Sequence, residues 1–234
     1  MKKLHLKLLS LITFALLLSP GSHSAQVCND FFSIKDGVRM EYTMYGKKGK
    51  VEGSQWQEFR NVEETADGIE AEVHMGFNDA QGKNPYESSY KMTCEGNTVR
   101  IDYESLISPQ MLEQYGDAEV EITGTDVEWP SNLETGMELP DANVKMKINM
   151  GGMNMNMEVD ITDRKVEKVE TITVPAGSFE CYVVYSNSYS KMMMVNKNFP
   201  SRSWLAKGVG MVKTESYNKK GKLINTMVLS AISQ

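Results

Sequence analysis

The feature that most constrains the fold of this chain is an alternation of apolar and polar residues with a period of two. In the segment "GIEAEVHMGF", the polar residues Glu70, Glu72 and His74 fall between apolar residues that run from Ile69 to Phe77. This period places successive side chains on opposite faces of a β-strand. Similar runs recur along the chain, separated by glycine, asparagine and aspartate. The pattern predicts an antiparallel meander of about ten to twelve strands.

Such a long meander must hide its edges and bury one apolar face, so we expect it to curl into a barrel or β-roll. One stretch departs from the alternation, because "SPQMLEQYG" combines a serine N-cap, a proline at the first helical position and a closing glycine. These signals predict one short helix near residues 108–115. No linker or low-complexity stretch follows the first residues. We therefore expect an all-β fold in a single domain, residues 25–234.

The first residues of the chain predict export. "MKKLHLK" supplies three lysines, "LLSLITFALLL" is an apolar run, and Ser22 and Ser24 suit cleavage before Ala25. This layout is typical of a secretory signal peptide, which we assign to residues 1–24. The apolar run is shorter than the about 20 residues that cross a bilayer, and no second run of that length follows. We expect a soluble mature domain, periplasmic or extracellular, without an integral membrane segment.

The charge of the chain argues against a nucleic-acid partner. The whole chain carries a formal net charge of −6, and loss of the lysine-containing leader makes the mature domain more acidic. An acidic protein repels phosphate backbones, so we expect no binding to nucleic acid. Two lysine-rich turns, in "YGKKGKV" and "YNKKGKL", are interpreted as parts of similar hairpins with solvated lysines.

Three cysteines follow the leader, so an oxidising compartment permits one disulfide bond and leaves one cysteine over. In "FECYVVY", Cys181 shares a strand face with Phe179 and Val183, which predicts a buried thiol that packs as a small hydrophobe. Cys28 lies near the mature N-terminus, and Cys94 ends a predicted strand. We expect a bond between Cys28 and Cys94 that fastens the N-terminus to the sheet. Three free thiols are the alternative.

The stretch "KMKINMGGMNMNMEVD" specifies a hairpin and its register. Gly151 and Gly152 suit a two-residue turn, because glycine adopts positive φ at little cost. Pairing outward from this turn gives one apolar and one polar face, and the polar face sets Lys145 opposite Glu158. A slip by one residue would mix the two faces, so the register is well specified. The apolar pairs are Met150–Met153, Ile148–Met155, Met146–Met157 and Val144–Val159.

The methionines of this hairpin have three interpretations. They form plain core, the wall of an apolar cavity, or a Cu(I) site, because methionine is adaptable and thioethers are soft ligands. The stretch holds no histidine, and its methionines alternate with asparagine as in an ordinary amphipathic strand. We therefore expect no metal site. The candidate ligand-binding residues are the methionines of the apolar face: Met146, Met150, Met153, Met155 and Met157.

Sequence motifs of catalysis are missing. After the leader the chain has one histidine, His74, so a zinc site with two histidines is excluded and a Ser-His-Asp triad would need this residue. The patterns "HExxH" and "GxSxG" and a phosphate-binding glycine loop do not occur. The many acidic residues leave open a hydrolase with paired carboxylates. We expect a protein without catalytic residues, enzymatic activity or cofactor.

Four segments together resemble a known family. They are "CNDFFSIKDGVRMEYTMYGKKGKV", "LETGMELPDANVKM", "ITVPAGSFECYVV" and "SWLAKGVGMVKTESYNKKGKL". In this combination the chain resembles the TapB-like exported proteins of Bacteroidota over essentially its whole mature length. The resemblance implies a periplasmic or secreted β-rich domain with a barrel-like or roll-like shape, and it brings no catalytic residues to carry over.

The leading functional hypothesis is a non-catalytic exported domain whose methionine-rich face holds an apolar ligand such as a lipid. The alternative is a structural or interaction component of a cell-envelope or secretion assembly, which binds an envelope protein and no ligand. The hydrolase with paired carboxylates is the third.

Overall fold

The computed structural model describes residues 28–83, 85–107, 112–116, 118–151, 153–192 and 195–234, with the main chain alone at Met153, Met192 and Val195. The predicted signal peptide, residues 1–24, lies outside the described residues. The strands in chain order are β1 (Arg39–Gly46), β2 (Val51–Glu64), β3 (Gly68–Asp79), β4 (Tyr86–Glu95), β5 (Thr98–Ile101), β6 (Glu119–Thr125), β7 (Val127–Pro130), β8 (Ala142–Met150), β9 (Met153–Val174), β10 (Gly177–Met192), β11 (Val195–Ala206), β12 (Gly210–Tyr217) and β13 (Leu223–Ser233).

All of these strands belong to one antiparallel sheet, in the order β6-β8-β9-β10-β11-β12-β13-β1-β2-β3-β4-β5-β7. The two edge strands, β6 and β7, follow each other along the chain with one residue, Asp126, between them. The two edges of the sheet therefore meet at one seam, and the sheet forms a nearly closed barrel. The predicted all-β fold is confirmed.

Helical structure is scarce in the part of the chain that the structure describes. A 3₁₀ helix spans Glu104–Leu106, which the sequence pattern did not indicate. Of the predicted helix at 108–115, residues 108–111 lie outside the described residues, and a helical turn is present at 112–116. No described helix is long and apolar enough to cross a membrane. We call residues 102–118, which connect β5 with β6, the crossing segment.

A disulfide bond and a buried asparagine fasten the N-terminal segment to the sheet. Cys28 is bonded to Cys94 of β4, the pairing expected from the sequence, across a sequence separation of 66 residues. The buried Asn29 donates hydrogen bonds from Nδ2 to the carbonyl oxygens of Asn97, at 3.1 Å, and Trp129, at 3.0 Å. Because a buried amide must find partners, these bonds hold the segment against the ends of β5 and β7.

Both faces of β10 are buried where it lies between β9 and β11. Val183 belongs to the larger apolar cluster, together with Cys181 and Trp204. The adjacent Val184 belongs to a second cluster that includes Phe31. Adjacent strand residues point to opposite faces, so the sheet is covered on both sides here. Burial raises the pKa of the free Cys181 thiol to about 11, and the expectation of a buried thiol is confirmed.

The long strand β9 bends at two bulges. Its register with β10 shifts between Val183 and Val184, and again between Tyr185 and Asn187. At the second bulge Asp163 has a φ of 55°, an uncommon conformation for a residue other than glycine. Bulges increase the local twist of a strand. They let the β9–β10 hairpin follow the curve of the barrel.

Candidate functional site

The hairpin of β8 and β9 has the register predicted from the sequence. Met146 is paired with Met157, Met150 with Met153, and every predicted pair between them is present. On the polar face, Lys145 Nζ lies 2.8 Å from Glu158 Oε1. This ion pair lowers the pKa of the Glu158 carboxyl, chiefly through its hydrogen bond with Lys145. The apolar side of this hairpin, defined by Met146, Ile148, Met150, Met155 and Met157, is called the methionine face.

Burial across the methionine face is uneven. Met146 and Ile148 on β8 are both 1% exposed. Met150, Met155 and Met157 are only partly buried. The side chain of Met153 lies outside the described residues. A Cu(I) site would need the sulfurs of Met150, Met153 and Met155 to converge, and the described residues do not test this. The face therefore combines a closed centre on β8 with a more open margin toward β9 and the turn.

The crossing segment covers part of this face. The Tyr115 hydroxyl donates a weak hydrogen bond to the Met157 sulfur at 3.8 Å. Nearer the start of the segment, the Tyr103 ring packs against Gly124 of β6, where an added Cβ would lie 2.7 Å from Tyr103 Cδ2. β6 pairs with β8 alongside Met146. In the described part of the crossing segment, a tyrosine ring and a tyrosine hydroxyl therefore contact the edge of the apolar surface.

A buried arginine ties the β9 bulge to edge strand β7 and to the loop before β8. The Arg164 guanidinium donates hydrogen bonds to the carbonyl oxygens of Pro140, at 2.6 Å, and Glu128, at 2.8 Å. Its guanidinium carbon lies 4.7 Å from the centre of the Trp129 ring. Burial lowers the pKa of Arg164 to about 10, although the nearby Asp141 opposes this shift. The side chain stays charged at neutral pH and acts as a structural link.

Two adjacent apolar cavities flank the N-terminal segment. Their volumes are about 260 and about 220 Å³, and Ser33, Lys35 and Gly208 border both. Apolar side chains line most of each wall: Val38, Met40, Phe59, Val209 and Ile232 in the first, and Phe32, Ile34, Val62 and Ile69 in the second. Sequence reasoning missed them because their walls come from distant segments. The apolar run "FFSI" after Cys28 was the signal available.

A larger, polar cavity of about 580 Å³ lies beside the second β9 bulge. Its four carboxylates are those of Glu138, Asp141, Asp163 and Glu167. Glu167 forms a two-point ion pair with Arg202, at 2.6 and 2.9 Å, and Lys165 Nζ lies 3.7 Å from Glu138 Oε1. Two of the four carboxylates of this cavity are therefore held in ion pairs with basic side chains.

His74, the only histidine in the sequence after residue 24, lies on the polar face of β3. Its Nε2 is 3.1 Å from Glu72 Oε2. Hydrogen bonds with Ser89 first and His74 second lower the pKa of the Glu72 carboxyl. The carboxylate thus lies between the serine and the histidine, whereas a catalytic triad places the histidine in the middle.

The methionine face and the cavities are separate surfaces with different lining residues. None of the cavities described above is lined by a residue of the methionine face. The half-buried thioethers form a flexible and polarisable apolar surface that suits an acyl chain or another irregular apolar group. The apolar lining of the cavities at the N-terminal segment consists largely of β-branched and aromatic side chains, which have fewer conformations than methionine.

Comparison with known proteins identifies relatives of the whole domain. A family model described as DUF3108-like matches residues 35–229. A crystal structure from Bacteroides fragilis, of a protein described as exported and with a YmcC-like fold, has a TM-score of 0.69 and 22% identity. The match covers 88% of this chain and 100% of that one. A crystal structure from Parabacteroides distasonis, of a protein described as a lipoprotein, has a TM-score of 0.70 and 25% identity, covering 89% and 100%. No curated protein matches the chain.

Proposed function

This chain belongs to the DUF3108-like family, and we propose that it is a non-catalytic exported domain that binds an apolar ligand, such as a lipid or acyl chain, on its methionine face. The ligand would lie along Met150, Met155 and Met157, next to the closed centre formed by Met146 and Ile148. The main support for this proposal is the partial burial of three methionines that lie on the same face of the hairpin as two fully buried residues.

Partial burial matters because an apolar group left in contact with water costs free energy, at about 25 cal/mol per Å². A folded domain would gain by covering these thioethers, and in the described part of the crossing segment the Tyr115 hydroxyl contacts the sulfur of Met157. An acyl chain could extend this cover without displacing Met146. Methionine suits such a role, because its unbranched side chain repacks around ligands of varied shape.

Export is supported by the leader-like first residues and by the descriptions of the two similar structures as an exported protein and a lipoprotein. Both come from Bacteroidales, which fits the narrower resemblance to the TapB-like exported proteins of Bacteroidota. We place the mature domain in the periplasm or outside the cell. The absence of catalysis is also part of the proposal.

The test is native mass spectrometry of the mature protein, purified without detergent from its own envelope fraction. We expect an excess mass of a few hundred daltons that fragments as a lipid. The blocking variant combines Met155→Asn with Met157→Asn, and the matched control combines Met155→Leu with Met157→Leu. The leucine pair keeps the surface apolar and should retain the bound mass, whereas the asparagine pair should lose it.

Circular dichroism of both variants shows whether they remain folded. A wild-type protein that carries no excess mass, or an asparagine pair that retains the lipid while folded, would overturn ligand binding at this face. An excess mass that matches copper would instead promote the metal interpretation of the methionines.

A second candidate function is an interaction component of an envelope or secretion assembly. It is favoured by the seam between β6 and β7, because within the described residues each of these edge strands pairs with one neighbour, β8 and β5 respectively. Unpaired strand edges accept strands from other proteins. Cross-linking from cysteines placed at Glu121 and at Glu128 would test this, and a lack of cross-linked envelope proteins would count against it.

A further inference from the structure

Three hairpin turns of the barrel have the same conformation. They join β1 to β2, β3 to β4 and β12 to β13, with the sequences "GKKGK", "DAQGK" and "NKKGK" at 46–50, 79–83 and 218–222. In each, the N–H of the first residue donates to the carbonyl of the fifth, and the glycine N–H donates to the carbonyl of the first. Each glycine has a φ close to 70°. This is a three-residue hairpin loop that ends in a left-handed residue.

The sheet brings these three turns to one end of the barrel. β12, β13, β1, β2, β3 and β4 are consecutive neighbours and antiparallel, so alternate turns lie at the same end. The ladder pairs Gly46 with Asn225 and Gly53 with Asp79, which keeps the turns level with one another. Because neighbouring strands are about 4.8 Å apart, the three turns form a continuous rim.

This rim is strongly basic. The three turns hold seven lysines and one aspartate, in a chain whose formal net charge is −6. The lysines, which we call the lysine rim, are all exposed: Lys47, Lys48, Lys50, Lys83, Lys219, Lys220 and Lys222. The aspartate, Asp79, accepts hydrogen bonds from the backbone N–H groups of Gln81 and Lys83. The turn lysines therefore dominate the charge of the rim.

The lysine rim differs from the lysines of the strands. Within the described residues, ion pairs join strand lysines to carboxylates, as for Lys145 with Glu158, Lys147 with Glu121 and Lys213 with Glu215. No ion pair of the described residues involves the six lysines of the turns at 46–50 and 218–222. No described carboxylate holds these six lysines in an ion pair, so they are available to a partner, although the Glu52 carboxylate lies against Gly46 of the first turn.

Two exposed apolar side chains follow these turns in the chain. Val51 follows the first turn and is 52% exposed, and Tyr86 follows the second and is 46% exposed. Both are among the most exposed large hydrophobic residues that the structure describes. Tyrosine and lysine side by side are typical of surfaces that meet lipid headgroups, where an aromatic ring and a long amine both fit the interface.

We propose that the lysine rim is a docking surface for an anionic lipid membrane, with Val51 and Tyr86 entering the headgroup region. Each lysine near an anionic leaflet strengthens binding about fivefold, and clusters of four to eight basic residues are typical of such surfaces. The exposed apolar pair favours a membrane over a soluble polyanion, which offers no apolar layer. This surface uses none of the methionine face, so it is independent of the function proposed above.

The test is cosedimentation of the mature chain with vesicles of phosphatidylcholine, with and without phosphatidylglycerol. We expect binding only to the anionic vesicles, and its loss in about 1 M salt, where charges are screened beyond about 3 Å. The variant with Lys47, Lys48, Lys219 and Lys220 changed to Gln should bind at least about tenfold more weakly. The matched control changes Lys35, Lys91, Lys165 and Lys168 to Gln, alters the net charge equally, and should bind like the wild type.

A second variant, Val51→Ser with Tyr86→Ser, separates a membrane from a soluble polyanion. It should weaken vesicle binding several-fold and leave the weak, salt-sensitive binding to dextran sulfate unchanged. No sedimentation of the wild type with anionic vesicles would overturn the proposal, as would equal losses in the rim variant and its control. Unchanged vesicle binding by the serine variant would assign the rim to soluble polyanions and also overturn it.

Discussion

The core around the disulfide bond and the methionine face are two apolar regions of one sheet, closed to different degrees. Cys94 and Val99 are fully buried, and a covalent bond and the Asn29 hydrogen bonds hold the N-terminal segment over that region. On the methionine face, Met155 and Met157 stay partly exposed under a cover that makes a weak hydrogen bond. The first region is held by a covalent bond and buried hydrogen bonds, whereas the second is covered by weaker contacts and keeps adaptable methionine side chains.

The largest expected loss of stability comes from removing the disulfide bond of the closed region. Changing both Cys28 and Cys94 to Ser should lower the free energy of unfolding by about 4 kcal/mol, because the bond closes a loop of 66 residues. Urea unfolding measures this loss, and Cys181→Ala is the control that keeps the bond. A loss below about 1 kcal/mol would show that the N-terminal segment is held by packing and hydrogen bonds instead.

The second prediction compares the loss of stability on mutation at the centre and at the margin of the methionine face. Met146→Ala should destabilise the protein by about 3 kcal/mol, since it empties a fully buried site. Met155→Ala should cost about 1 kcal/mol or less, because that side chain is already partly in water. Urea unfolding of ligand-free protein gives both values. Equal costs at the two positions would mean that the face is uniformly packed core.

A fall in pH should lower the stability of the protein through carboxylates on the polar faces of the strands. The pKa of Glu170 is lowered, first by its hydrogen bond with Lys168 and then by that with Trp204. A carboxyl with a lowered folded-state pKa adds stability above its unfolded pKa of about 4.3. That stability is lost as the pH falls through the folded value.

Unfolding free energies should therefore hold steady from neutral pH down to about pH 5 and then fall. Glu170→Gln should make the acid decline shallower. Met146→Ala should give a curve parallel to that of the wild type, and a change of slope in that variant would link the methionine face to titrating groups.

The smallest effect concerns the cover of the methionine face. Tyr115→Phe removes the hydrogen bond from the hydroxyl to the Met157 sulfur and should cost about 0.5 kcal/mol. Hydrogen exchange should quicken at residues 112–116 and remain unchanged in β4 and β5. Faster exchange in β4 would indicate that the cover supports the disulfide region as well.

Local pattern made the methionine hairpin predictable. The glycine pair and the strict alternation leave one register that separates apolar from polar residues, and β8 and β9 adopt it. The disulfide bond followed from the burial of Cys181, which left the other two cysteines as partners. Both inferences use side-chain type within short segments, where period and spacing carry most of the information.

What the sequence did not reveal depends on contacts between distant segments. Tyr182 and Val184 interrupt the alternation in "CYVVY", which signals a strand buried on both faces, but the residue that covers the second face, Phe31, lies far away. The lysine turns were visible as similar hairpins, yet their position at one end follows from the sheet order. The burial of each methionine also depends on what the crossing segment covers.

The pairing of the first strand with the last has a kinetic consequence. β1 pairs with β13, and the Ser230 hydroxyl donates to the Glu41 carbonyl across a sequence separation of 189 residues. A chain made from its N-terminus leaves this side of β1 unpaired until β13 has been made, so the barrel closes after the other strands are present. Contacts of such long range slow folding. The charged side chains of Arg39 and Glu41 on β1 disfavour pairing of this unpaired strand edge with other chains before β13 is in place.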